Sequence, residues 1–406
     1  MYDITIVGGG ISALVSAIRI RKSYPWTKIA ICEKNDYLGG RLLTERFHGF
    51  RVPQGGSMVR GTDRRVMELC KEMGLGIFPV EKTDYLESEA AEANNAMVDA
   101  IKQRAKKYEE RENYDEITVR RFMEEEFSPE DTKRFLKYAI YRDFLGSSLK
   151  EFMLYYPPED LYQPEGGRDG LYIIKGGYGA LIDRLVERIR KDQNIRIYLK
   201  TKVKGVEFRD EKTWKVMTSM GVLDTSMIIW ATDWSGRKAL PDYPRGLIEE
   251  YLAPVPFFRA AGYSKESKLK GGLITGGDLE KVFPLMKHVF QLAYSETSSA
   301  ERLHMITKGK SKEEQIDIFQ RLLEVEVPES IRGDLKIDDV LLKYWKAGIH
   351  QYKRSPSDEV SEEIQKPFFG FYMVGEMVVR DNKGWTEGAL QSVEEFMSRR
   401  KFAKPT

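Results

Sequence analysis

An α/β architecture is predicted, a Rossmann-like domain with an interleaved α+β domain, on three observations. An apolar strand, Ile4 to Val7, runs directly into the glycine turn Gly8-Gly9-Gly10. A second strand, Lys28 to Cys32, ends on an acid, Glu33. Further glycine-bearing blocks return as late as Gly388, while two long stretches between them carry no strand-turn-helix motif of this kind.

Each element of the first unit follows from its residues. The turn reads G-x-G-x-x-A, with Gly8, Gly10 and Ala13 in the key places. The first glycine permits a tight turn, the second lets backbone approach a pyrophosphate, and the small third residue lets helix pack on strand. The helix that follows is largely apolar through Leu14, Ala17, Ile18 and Ile20. The N–H groups at its start, around Ser12, favour negative phosphate charge. Glu33 stands 20 residues beyond Ala13, where a carboxylate can accept both hydroxyls of an adenosine ribose. A 2′-phosphate would meet like charge there, so NADP is disfavoured. Lys34 is expected beside the same ligand, and Cys32 is read as a small core residue of the strand. A lone glycine turn would be weak evidence; strand, turn, helix, strand and acid within 33 residues predict a bound dinucleotide.

Composition bounds the rest. The chain of 406 residues has room for two or three units at about 150 residues each. Lys and Arg number 65 against 63 Asp and Glu, for a formal net charge of +2, and the two signs are intermixed. That argues against a dedicated nucleic-acid binder. A hydrophobic share of 41% and a charged share of 32% fit neither a disordered chain nor a membrane bundle. No run approaches the roughly 18 apolar residues of a membrane span. With no basic leader at the N-terminus, a cytoplasmic location is expected. Cys32 and Cys70 cannot form a disulfide framework or a zinc site by themselves, and His48, His288, His304 and His350 form no HExxH pair. The acidic run Glu124-Glu125-Glu126 and the basic tail from Arg399 to Thr406 read as solvated segments.

The sequence then departs from an ordinary dehydrogenase. Leu38-Gly39-Gly40-Arg41 follows Glu33 closely, and Gln54-Gly55-Gly56-Ser57-Met58 comes soon after. A long flavin dinucleotide needs backbone close to both its phosphates and its ring system, and Arg41 could neutralise the pyrophosphate. These blocks resemble the flavin-containing amine oxidase superfamily, which includes monoamine and polyamine oxidases, protoporphyrinogen oxidase and carotenoid desaturases. The resemblance implies FAD in a Rossmann-like domain of the glutathione-reductase type, with Gly40, Arg41, Gly55, Gly56, Ser57 and Met58 as contacts.

Further blocks resemble the family in order along the chain. Thr62 to Gly74 is similar to the helix after the second glycine pair, and Gly176-Gly177-Tyr178 opens an amphipathic helix through Leu181, Leu185 and Ile189. Ile195 to Val203 reads as strand and turn, and the resemblance implies that Val203 meets the adenine through its backbone. Met227 to Thr232 is similar to the strand closing the cofactor domain. Near the C-terminus, Phe371 to Glu376 resembles a strand ending in Gly375-Glu376, which implies Glu376 near the ribityl chain or pyrophosphate. Gly384-Trp385-Thr386-Glu387-Gly388-Ala389 then introduces a helix whose N-terminus would stabilise an anionic reduced flavin, with Trp385, Thr386 and Ala389 as contacts. The FAD-binding domain is expected at 1–80, 161–240 and 336–406, and the substrate domain at 81–160 and 241–335. In the latter, helical spacing runs through Met97-Ile101 and from Phe135 to Phe144, strands are expected near Phe257–Tyr263 and Phe290–Ala293, and a helix around Glu313–Leu323.

For an amine donor the resemblance implies aromatic walls near the flavin. Trp385 occupies the family position for one, facing substrate or packing beside the cofactor. Trp345 and Tyr352 resemble the family's tryptophan-and-tyrosine segment, although His350 stands where a proline is usual, a weak candidate base. Arg259 falls where many relatives keep a lysine that holds a water at the flavin, and a permanently charged guanidinium cannot be assumed to replace it. No cysteine follows Cys70, so the FAD is expected to be noncovalent. The preferred activity is oxidation of a C–N bond in a small amine or polyamine by hydride transfer to flavin N5, with O2 as acceptor. A protoporphyrinogen oxidase or desaturase acting on C–C or ring C–H bonds is the second choice, and a non-catalytic FAD-binding interaction protein the third. No metal, nucleic acid or membrane partner is expected; a homodimer is a possible assembly.

Overall fold

The computed structural model describes residues 1–79, 88–139, 141–156, 170–210, 212–267, 269, 271–333 and 335–399. Strand β1 (Tyr2–Val7) and strand β2 (Ile29–Cys32) lie parallel, Ile4 against Ile29 and Val7 against Cys32, joined by helix α1 (Ile11–Ser23). Both are buried apolar runs, as strands covered on two faces must be. Ile195–Tyr198 adds outside β2, and Gly221–Trp230 lies parallel on the other side of β1. The antiparallel strands Thr213–Thr218 and Val203–Asp210 extend the sheet, and Phe371–Met373 pairs with the end of Gly221–Trp230. All of this seven-stranded sheet comes from segments in which a cofactor motif was read. α1 packs against the helices Gly177–Arg190 and Thr386–Ser398 through a core holding Leu14, Ala17, Leu181, Leu185 and Val393. Val7, Cys32, Trp230 and Met373 therefore end side by side at one edge, the place where open α/β sheets bind ligands.

A second, antiparallel sheet has five strands in the order Leu273–Ile274, Lys281–Met286, Val289–Glu296, Leu252–Tyr263, Asp339–Tyr352. Its last strand differs from the expected boundary at 336. It pairs with Leu252–Tyr263 from Asp339 opposite Tyr263 to Tyr352 opposite Leu252. The chain thus rejoins the first sheet only after Tyr352, because this 14-residue strand satisfies its backbone groups along the whole of its 12-residue neighbour. Helices Thr297–Thr307 and Lys312–Glu326 cover one face through Leu303, Phe319 and Leu323. The alternate residues Phe257 and Arg259 look the other way, into a cavity.

A helical group, Ser88–Ala105, Val119–Glu126, Pro129–Tyr138 and Leu149–Tyr155, closes on Ile101, Phe122 and Phe152. Thr118, Ser128 and Ser148 cap its last three helices by accepting backbone N–H groups. The helical spacing read as far as Phe144 stops at Tyr138, and Arg142–Gly146 forms a separate 3-10 turn. Among the described residues no helix is long and apolar enough to cross a membrane, and no His, Cys, Asp and Glu group is arranged to hold a metal.

Candidate active site

A cavity of about 760 Å³ joins the strand ends of the first sheet to the open face of the second. At its first end, Gly8 turns with φ +104°, and a Cβ there would stand 2.5 Å from the Ala231 carbonyl oxygen, so only glycine fits. Gly10 caps α1, and a Cβ there would meet no protein atom within 4 Å. It borders the cavity, so the space beside its backbone is a cradle left for a ligand. The first intrahelical bond goes from Leu14 N–H to the Gly10 carbonyl, which leaves the N–H groups of Ile11, Ser12 and Ala13 without helical partners. Ser12 lines the cavity, whereas Ala13 is wholly buried and serves the packing of α1.

Glu33 lines the same end and is 5% exposed. Its Oε2 accepts from Gly9 N–H at 2.7 Å and its Oε1 from Asn35 N–H at 2.8 Å. A carboxylate offers about four acceptor positions, so two remain for a pair of ribose hydroxyls. Val203 borders the cavity, and Lys34 does so while donating to Ser235 Oγ at 2.7 Å. Glycine backbone, helix N-terminus and acid together fit an adenine dinucleotide.

The middle of the cavity is organised by Glu376. Its Oε1 receives Arg41 Nη1 and His350 Nδ1, each at 2.6 Å, and its Oε2 accepts from Gly384 N–H at 3.1 Å. Arg41 also donates to the Gly348 carbonyl at 2.7 Å. Trp234 N–H donates to His350 Nε2 at 3.1 Å, so the imidazole proton sits on Nδ1 and the ring is spent holding Glu376. His350 is fully buried and does not border the cavity, which removes it as a candidate base. Burial pushes the Glu376 carboxyl up, but Arg41 and then His350 outweigh it and hold the group well below the usual range. Burial likewise raises Asp233 while Arg41 brings it below its ordinary value. Arg41 is therefore not a free countercharge to a pyrophosphate: its charge is already answered by two carboxylates.

At the far end, Gly40, Gly55, Gly56, Gly375, Thr386 and Ala389 supply wall. Ser57 and Met58 lie outside it, and the Met58 carbonyl instead accepts from Tyr178 Oη at 3.3 Å. Trp385 caps the helix Thr386–Ser398 and borders the cavity, with the Arg60 guanidinium 4.4 Å from its ring centre. Trp345 borders it too, anchored by Nε1 to the Gln54 carbonyl at 2.6 Å. Tyr352 does not. It is fully buried in the apolar cluster with Trp230, Leu252 and Phe371, and Lys383 Nζ lies 3.5 Å from its ring centre. Tyr352 lies beyond a register shift from Trp345 in this strand and faces the apolar cluster rather than the cavity.

Arg259 borders the cavity at 4% exposure. Its Nη1 donates to Gln291 Oε1 at 3.1 Å, its guanidinium lies 3.6 Å from the Tyr294 ring centre, and Lys343 stands opposite on the neighbouring strand. Burial lowers its pKa, although a guanidinium remains charged. Phe257, Tyr294 and Lys343 complete this end and were not anticipated. Tyr294 and Lys343 are brought there by cross-strand register with Arg259. Cys32 and Cys70 are buried, and burial pushes their thiols up to about 12 and about 11.

Comparison with known proteins gives a consistent picture. The sequence model of the family described as flavin containing amine oxidoreductase matches residues 12–393. Amine oxidase [flavin-containing] A of Equus caballus is 37% identical over 87 residues, which is 21% of this chain and 16% of that protein. Amine oxidase [flavin-containing] B of Homo sapiens is 35% identical over 85 residues, again 21% and 16%. These matches thus span about a sixth of the relatives' length. Wild-type putrescine oxidase bound to putrescine superposes with a TM-score of 0.73 at 15% identity, covering 98% of both chains. At that identity the likeness is one of fold.

Proposed function

The chain belongs to the flavin-containing amine oxidoreductase family, a family of FAD-dependent oxidoreductases, and we propose that it oxidises a C–N bond of a small amine with O2 as acceptor. The observation that carries this reading is the continuity of the cavity from the Gly10 and Glu33 cradle to an end walled by Trp345, Trp385 and Phe257. When bound, FAD supplies a two-electron acceptor. The amine loses a hydride from carbon and a proton from nitrogen, and water hydrolyses the resulting imine to a carbonyl compound and a free amine. O2 takes up the two electrons and two protons as hydrogen peroxide.

This chain's residues prepare that reaction. Gly8, Gly10, the α1 N-terminus and Glu33 bind the dinucleotide, and Gly40, Gly55, Gly56, Val203, Gly375 and Thr386 shape its path. Glu376, fixed by Arg41 and His350, keeps the middle of the cavity rigid. Trp345, Trp385 and Phe257 exclude water, which keeps an amine neutral at nitrogen, the form whose lone pair assists hydride loss. The helix opening at Thr386 presents its positive end toward the cavity, a fixed partial charge for an electron-rich ring. Attachment is noncovalent, since both cysteines are buried thiols with raised pKa.

A desaturase acting on a hydrocarbon would call for a uniformly apolar end, and Arg259 and Lys343 break that uniformity. The test is anaerobic mixing of the holoenzyme with amines, amino acids, polyamines and porphyrinogens. Amines should bleach the visible flavin band, and peroxide should appear when air returns. Bleaching by porphyrinogens alone would refute the proposal.

A further inference from the structure

We infer that Arg259 and Lys343 form an anchor for an anionic group on the substrate, so that the amine oxidised here carries a carboxylate or a similar anion. The inference rests on the amine-oxidising reading above and names the class of amine.

Arg259 and Lys343 are direct cross-strand partners, and both border the cavity. Like charges opposite one another on adjacent strands are destabilising unless something answers them. Among the described residues no carboxylate lies within ion-pairing distance of either. Arg259 has Gln291 and the face of Tyr294; Lys343 has the rings of Tyr37 and Trp345, at 5.9 and 4.9 Å. Arg259 is buried and Lys343 half-buried against these aromatic faces, which do not discharge them.

The acids nearby are committed elsewhere. Glu296, opposite Phe257 in the next register, accepts Lys281 Nζ at 3.0 Å and the Asp143 N–H at 3.1 Å. The acids on the cavity lining are Glu33, Asp233 and Glu376. Glu33 takes backbone N–H groups at the adenine end, and the other two face Arg41. The aromatic end thus offers two cations with no carboxylate ion-paired to either, and Glu296, whose charge reaches Arg259, is already paired with Lys281. A diamine would bring positive charge against them. A carboxylate could accept two N–H bonds from the Arg259 fork while its amine nitrogen lies against Trp345 and Phe257.

The test uses purified holoenzyme and donors matched except for one carboxylate: phenylalanine against 2-phenylethylamine, 4-aminobutyrate against butylamine, and putrescine alongside. Benzoate serves as an unreactive probe, its binding followed by perturbation of the flavin spectrum. The carboxylated member of a pair should bleach the flavin at least about tenfold more efficiently. Arg259→Gln should weaken benzoate roughly tenfold to a hundredfold, as loss of a charge-assisted pair does, and Lys343→Met should weaken it less. FAD content and the ligand-free flavin spectrum should stay as in the parent, which also guards against misfolding of either variant. Faster bleaching by putrescine or by the plain amines would overturn the inference. So would unchanged benzoate binding in both variants, or a ligand-free spectral change in Arg259→Gln without any loss of benzoate, which would assign Arg259 to the flavin. Benzoate binding that depends on Arg259 in a protein bleached by no amine would instead overturn the amine-oxidising reading and leave the anion anchor standing.

Discussion

Gly8→Ala and Gly10→Ala should separate the fold from its ligand. At Gly8 the backbone sits at φ +104°, and an alanine Cβ would lie 2.5 Å from the Ala231 oxygen. A left-handed alanine costs about 1–2 kcal/mol, and forced overpacking typically adds about 1–3 kcal/mol. The apo protein should therefore lose about 2–5 kcal/mol, and FAD binding should fall with it. At Gly10 the backbone is at φ −75° and the added methyl meets no protein atom. Relief of unfolded-state freedom, about 0.4–1 kcal/mol, roughly offsets the poorer cap, so apo stability should change by under about 1 kcal/mol. The methyl does occupy the cradle, and crowding of about 1–3 kcal/mol there translates into a Kd for FAD raised roughly 5- to 150-fold. Denaturant unfolding of apoprotein and fluorescence titration with FAD read the two quantities separately. Unchanged FAD affinity in a stably folded Gly10→Ala would refute the assignment of this turn to the dinucleotide.

Three other outcomes follow from the same structure. Glu376→Gln should cost about 1–3 kcal/mol in chemical unfolding, because it leaves the half-buried Arg41 against a weaker partner. Since the folded carboxyl lies below its unfolded value, the parent's advantage should be full above about pH 4.5 and vanish only as pH falls through the lower folded value. Glu280 behaves in the opposite sense: burial raises its carboxyl to about 8 despite Arg142, so its contribution is full below about pH 4.5 and lost as pH rises through about 8. Glu280→Gln should flatten the stability profile over that window, measured by melting at stepped pH. Finally, acid or heat should release intact FAD, and Cys32→Ser with Cys70→Ser should retain the cofactor; flavin left on the denatured chain would contradict noncovalent binding.

The first sheet and its glycine turn were legible because their demands are local. A turn at positive φ, a small residue under a helix and an acid at a strand end each specify one residue type at one place. The second sheet hid what depends on distant partners. The strand Asp339–Tyr352, expected with the first unit, ladders with Leu252–Tyr263, a pairing that joins residues far apart in sequence. Tyr352 was grouped with Trp345 by motif, yet it lies beyond a register shift and faces the apolar cluster. Tyr294 and Lys343 entered only through register with Arg259. His350 looked like a displaced proline or a base, and its two nitrogens proved to be fixed by Trp234 and Glu376.

Nitrogen release in a single anaerobic turnover tests the account's core most directly. Holoenzyme bleached by an excess of a primary amine should yield one equivalent of ammonia and one of carbonyl product per FAD reduced. Full bleaching by any donor panel without a nitrogen product, its carbon skeleton instead gaining a double bond, would contradict C–N oxidation as this chain's chemistry.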